Sequence, residues 1–145
     1  LHIRSIAERT EKHLNLVSEM IDMKNRMLAD ITSADDFIVS DKLLSLLMTQ
    51  VSENKFLMRV FEDLFDAEGS EIYIKPAKEY ITTGQPISFY TIMESAAQKH
   101  EVAIGYRILA KSKNQDDQYG VVVNPKKSEL ISLTEYDEII VLSED

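Results

Sequence analysis

Residues 35–76, DDFIVSDKLLSLLMTQVSENKFLMRVFEDLFDAEGSEIYIKP, contain two helical segments with more apolar surface than one small core can cover. On a helical wheel Leu43, Leu44, Leu46, Leu47, Met48 and Val51 sweep an arc of about 200°, where roughly 100° buries one face against one core. Phe56, Leu57, Met58, Val60, Phe61, Leu64 and Phe65 also cover about 200°. Helices of this kind in a soluble chain meet apolar partners on two sides. The extra face is covered either by the remainder of a larger chain or by a second subunit, and the doubling favours a helix pair that crosses to a second subunit. The candidate interface residues are Leu43, Leu46, Leu47, Val51, Leu57, Phe61, Leu64 and Phe65.

Composition narrows the partners. Among 145 residues, 25 acidic against 16 basic give a net charge of −9. Nucleic-acid affinity rests on phosphate neutralisation, so an acidic chain without a basic stripe is a poor binder. An anionic membrane surface repels it for the same reason. There is no cysteine, which excludes disulfides, thiolate metal sites and cysteine nucleophiles and leans towards a reducing compartment. No run approaches the ~18 apolar residues of a membrane span, so direct membrane insertion is not expected. The opening LHIRSIAERTEKHL has neither an initiating Met nor the apolar centre of a signal peptide. It reads as the interior of a helix, and the chain as a piece of a larger protein.

The sequence organises as α/β. Residues 2–12 read as a charged helix, 14–21 as a short strand, 23–31 as a helix and 36–39 as a strand. Ser40 or Asp41 is placed to cap a helix starting at Lys42. This α-β-α-β-α order over 1–52 points to part of a parallel sheet with crossover helices, a partial Rossmann-like lobe. Ser52-Glu53-Asn54 breaks the apolar run without Gly or Pro, predicting a kink or tight turn before a second helix, Lys55 to Phe65. Residues 53–70 thus hold a crossover helix and an acidic turn ending at Gly69. Beyond Gly69 the texture alternates: strands at Glu71–Lys75, Glu101–Ala110, Gly120–Asn124 and Asp137–Leu142, with a helix over Phe89–Lys99 after the first. Residues 71–145 are therefore a small α+β lobe of order β-α-β-β-β, with KSKNQDDQYG as a polar hairpin loop.

Catalytic constellations are missing. His2, His13 and His100 lie in separate polar contexts with no Ser or acid at motif spacing. The four glycines, Gly69, Gly84, Gly105 and Gly120, never form a phosphate-binding GxGxxG, so a nucleotide site is not complete in this chain. The notable cluster is Asp63, Asp66, Glu68 and Glu71 around Gly69, hard oxygen ligands suited to a divalent cation such as calcium. Acidic turns are more often solvated helix ends, which explains the same residues, and the spacing is not that of an EF-hand. Asp35, Asp36 and Asp41 form a second acidic set.

DDFIVSDKLLSLLMTQVSEN, DLFDAEGSEIYIKPA and the closing GVVVNPKKSELISLTEYDEIIVLSED resemble the cytoplasmic region of the Castor and Pollux ion-channel family. The part from Glu71 also resembles the C-terminal subdomain of regulator-of-potassium-conductance (RCK) domains, whose closing strand often follows an acidic residue, as Asp137 does here. The resemblance implies a non-enzymatic ligand-sensing module on the cytoplasmic face of a membrane. In it the helix pair intertwines two subunits, a homodimer or a larger gating ring, beneath the pore domain of the parent chain. A free-standing regulatory subunit of a potassium-uptake transporter and a fragment of a nucleotide-dependent oxidoreductase are the competing readings.

Overall fold

The computed structural model describes residues 17–20, 36–66 and 69–144. The chain divides into two compact units, Leu1–Met58 and Arg59–Asp145. In the first, strands β1 (Val17–Met20) and β2 (Asp36–Val39) pair in parallel, with Val17 opposite Asp36 and Met20 opposite Val39. Parallel neighbours need a crossover rather than a tight turn. The helices expected at 2–12 and 23–31 lie outside the described residues.

Helix α1 (Ser40–Glu53) follows β2 without a linker. It opens two residues before Lys42, so Ser40 and Asp41, the two residues expected as its cap, lie in its first turn. The Ser40 hydroxyl donates to the Glu19 carboxylate of β1. Further along, Ser45, Thr49 and Ser52 return their hydroxyls to the carbonyls of Asp41, Ser45 and Thr49 at 2.7, 2.8 and 2.7 Å. That back-bonding supplies the helix with one polar stripe. The expected break at Asn54 is a turn built by that residue. Its carbonyl accepts from the Leu57 N–H at 3.0 Å and its side-chain oxygen from the Phe56 N–H at 3.0 Å. Helix α2 (Leu57–Phe65) then begins.

The second unit is built on alternation. Strand β3 (Glu71–Pro76) directs Tyr73 to the core while Ile72 and Ile74 stand on the opposite face. It forms one edge of an antiparallel four-stranded sheet with β5 (Val102–Arg107), β6 (Val121–Val123) and β8 (Glu138–Ser143), in the order β3-β8-β5-β6. Two shorter strands, β4 (Pro86–Ser88) and β7 (Leu130–Ser132), pair with each other. These two additions extend the expected β-α-β-β-β order. Helix α3 (Phe89–Ala97) buries Phe89, Ile92 and Ala96, the i, i+3, i+7 stripe of a one-faced helix. Against them pack Ala77, Tyr80, Ala103, Tyr106, Leu133, Ile139 and Val141.

The hairpin between β5 and β6 closes through a stretch of left-handed backbone at Gln118, Tyr119 and Gly120. Gly120 is obligatory there. Its φ is +81°, and a Cβ would stand 2.2 Å from the Ile108 carbonyl oxygen. Asp137 secures the entry to β8: one carboxylate oxygen accepts from the Leu109 N–H at 2.8 Å. The other accepts from the Thr134 N–H and hydroxyl at 2.7 and 2.9 Å.

Candidate assembly surface

No residue of α1 or α2 is buried. Leu47, Val51, Leu57, Phe61 and Leu64 are half-buried, and they trace one face of each helix. Leu43, Leu44, Leu46, Met48, Phe56, Met58, Val60 and Phe65 are exposed, from 44% at Leu43 to 69% at Phe56. Of the eight residues expected at an interface, five are thus half-covered, while Leu43, Leu46 and Phe65 stand in solvent. Monomeric proteins rarely leave so many neighbouring large apolar side chains wet. Phe61 and Phe65 stack across one helical turn, ring centroids 6.4 Å apart. Arg59 pairs with Glu62 at 2.7 Å on the polar side of the same helix.

The acidic turn is arranged around a close approach. A Cβ at Gly69 would lie 2.8 Å from the Asp63 carbonyl oxygen, and the Gly69 N–H donates to the Asp66 carbonyl at 3.4 Å. Glu71 accepts from the Tyr73 hydroxyl at 2.5 Å, within its own strand. Among the described residues, no three acidic or histidine side chains gather as metal ligands. Glu68 lies outside them, so the four-carboxylate set is not assembled by what is described.

A polar constellation that the sequence did not advertise lies at the start of β5. Glu101 is 8% exposed, yet each of its carboxylate oxygens is occupied. Lys75 Nζ donates to one at 2.7 Å and the Tyr80 hydroxyl to the other at 2.5 Å. Lys99 Nζ sits over the Tyr80 ring, 4.4 Å from its centroid. Burial pushes the Glu101 carboxyl up, but the hydrogen bonds from Lys75 and Tyr80 and the charges of Lys75 and Lys99 outweigh it. The pKa ends below the ordinary carboxylate value. Burial first, and then the hydrogen bond and charge of Glu101, drive the Tyr80 hydroxyl far above its ordinary value. Both oxygens of this carboxylate are held by groups of the same lobe, and the network ties Lys75 and Tyr80 to the start of β5. His100, at the end of α3, is exposed and takes left-handed backbone, φ 62°. Its role is to end a helix.

What fold and surface define is a mixed α/β chain with two apolar helices that each leave large side chains exposed, and with no catalytic constellation among the described residues. No family model matches the chain. It is 32% identical over 140 residues to the probable ion channel POLLUX of Oryza sativa subsp. japonica, a match covering 97% of this chain and 14% of that protein. To the ion channel DMI1 of Medicago truncatula it is 30% identical, over 97% of this chain and 15% of the relative. To the ion channel CASTOR of Lotus japonicus it is 36% identical over 93 residues, 64% of this chain and 11% of that protein. By sequence, then, the chain is homologous to one segment of the Castor/Pollux ion channels. Among solved structures, the GsuK RCK domain superposes over 97% of this chain and 27% of its own length. The TM-score is 0.39 at 11% identity, too loose a likeness to argue from. Among the described residues no helix is long and apolar enough to cross a membrane.

Proposed function

We propose that this chain is a non-enzymatic regulatory module of a cation channel that joins copies of itself through the apolar faces of α1 and α2. The observation that carries this reading is the exposure of Leu43, Leu44, Leu46, Met48, Phe56, Met58, Val60 and Phe65. The homology to proteins named as ion channels supports the setting. In this reading the assembly is a dimer or part of a ring on the cytoplasmic side, coupled to the pore of the parent chain. A ligand or ion that binds one geometry of the assembly more tightly than another shifts the population towards it, and the helix pair transmits the difference.

Light scattering coupled to size exclusion, over a dilution series with and without calcium, tests the proposal. The native chain is expected to form a dimer or larger species. The Leu47→Asp/Phe61→Asp variant should elute as a monomer with an unchanged circular dichroism spectrum, because neither side chain is fully buried. A native chain monomeric at every concentration, or a variant that stays fully assembled, overturns the helix-pair interface. A calcium-dependent change in mass or radius would assign the sensed ion.

A further inference from the structure

We propose that strand β3 is a second, separate self-association surface, pairing edge to edge with β3 of another copy about a two-fold axis through Tyr73. Strand β3 ends its sheet, and among the described residues no strand pairs with its outer edge. Which of its backbone groups face outward follows from one bond beyond the strand. The Ala77 N–H donates to the Asp137 carbonyl at 2.8 Å, continuing the β3–β8 register by one residue. Hydrogen-bonded and non-hydrogen-bonded pairs alternate in an antiparallel ladder. Glu71, Tyr73 and Lys75 therefore spend their backbone groups on β8, while Ile72 and Ile74 aim theirs at the open edge. Pro76 shares that outward parity, the position where a strand tolerates a residue without an N–H.

The side chains select the occupant. Read from either end, Glu71-Ile72-Tyr73-Ile74-Lys75 is its own complement. With the axis at Tyr73, Glu71 falls opposite Lys75 of the second copy, and Lys75 opposite that copy's Glu71. Ile72 faces Ile74 on the other side of the sheet and exchanges both backbone bonds with it. Edge strands are commonly protected by like charges that repel a second copy. Here the two charges are opposite in sign and symmetrically placed: within each copy Lys75 Nζ keeps its bond to Glu101 and Glu71 its bond from Tyr73, and across the axis each adds an opposite charge as neighbour. Neighbouring registers do not work as well. An axis at Ile74 sets Ile72 against Pro76, which has no N–H to give, and an axis at Ile72 leaves Lys75 without Glu71. The face that would be extended is already apolar, with Ile72 and Ile74 half-exposed and Val102 and Val123 more so. The register places all four on that one face.

The absence of native cysteine makes the register directly readable. A protein carrying Ile72→Cys is mixed with one carrying Ile74→Cys, oxidised mildly, and compared on a non-reducing gel with each variant alone at the same total concentration. Facing positions in the proposed pair are about 5.5 Å apart at Cα, inside the range a disulfide spans. Position 72 does not face itself, nor does 74. Covalent dimer is expected to accumulate in the mixture and to be nearly lost in each variant alone. Adding Glu71→Lys to both proteins sets lysine against Lys75 and is expected to reduce the yield severalfold. A mixture that crosslinks no better than the average of its components overturns the pairing, as does a yield indifferent to Glu71→Lys. Both cysteines lie on the exposed face of the strand, outside α1 and α2, so either result leaves the helix-pair reading to its own test.

Discussion

Glu101 shows how much of this lobe depends on a residue that looks unremarkable in its local sequence, Lys-His-Glu-Val-Ala-Ile. Its partners arrive from 26 and 21 residues earlier, Lys75 on an edge strand and Tyr80 after it. No local pattern encodes that meeting, which is why the sequence shows Glu101 only as the first residue of an expected strand. Replacing it with Gln leaves Lys75 and Tyr80 imperfectly satisfied and should lower stability by ~1–3 kcal/mol at neutral pH. The sign of the pH dependence follows from the lowered pKa. The stabilisation is complete above the unfolded carboxylate value of about 4.3 and is lost as pH falls through the lower folded value. Denaturant titrations at about pH 7 and pH 3 should therefore show the native chain and Glu101→Gln converging in acid. Parallel losses in both would remove the charge from this account. Tyr80 acts at the other extreme: its folded pKa is raised, so its contribution holds below the unfolded value of about 10 and fades at higher pH.

Among the elements, the legible ones are those whose pattern repeats. The α3 stripe, the alternation in β3 and the short β2 segment are visible because several residues in each vote the same way. Strands β4 and β7 each have only three paired residues and lie in stretches rich in Gly, Pro, Ser and Lys, so tertiary pairing, not periodicity, creates them. The helix pair is legible as an apolar excess, whereas the Ser40 hydroxyl's use on β1 depends on an approach no spacing reveals. The end of α3 carries a testable compromise. His100 donates its N–H to Ala97, and Glu101 donates to Ala96, a left-handed closure that glycine favours. His100→Gly should relieve the strained backbone and stabilise the lobe by ~0.5–1 kcal/mol, measured by thermal or denaturant unfolding. A loss of stability instead would mean that the imidazole makes a contact worth more than the strain.

At the scale of the whole molecule, net charge and apolar surface pull in opposite directions. Each copy brings a net charge of −9 to any association while the helices offer Leu, Met, Val and Phe to be covered. Repulsion between like-charged copies is screened by salt, with a Debye length of about 30 Å at 0.01 M and 8 Å at physiological ionic strength. Self-association should therefore tighten as salt rises from ~0.01 to ~0.15 M. Sedimentation at fixed protein concentration reads this directly. Weakening with salt would mean that ion pairs, rather than apolar contacts, dominate the joint.

The wet faces of α1 and α2 also bear on the fate of a copy made in excess. A chain that displays Leu44, Met48, Phe56 and Phe65 to solvent carries the kind of surface that chaperones retain and proteases clear. Covering those side chains removes the signal. If copies join through these helices as proposed, subunit number would be policed by the helices themselves: an unmatched copy would mark itself for disposal, and a matched one would be spared.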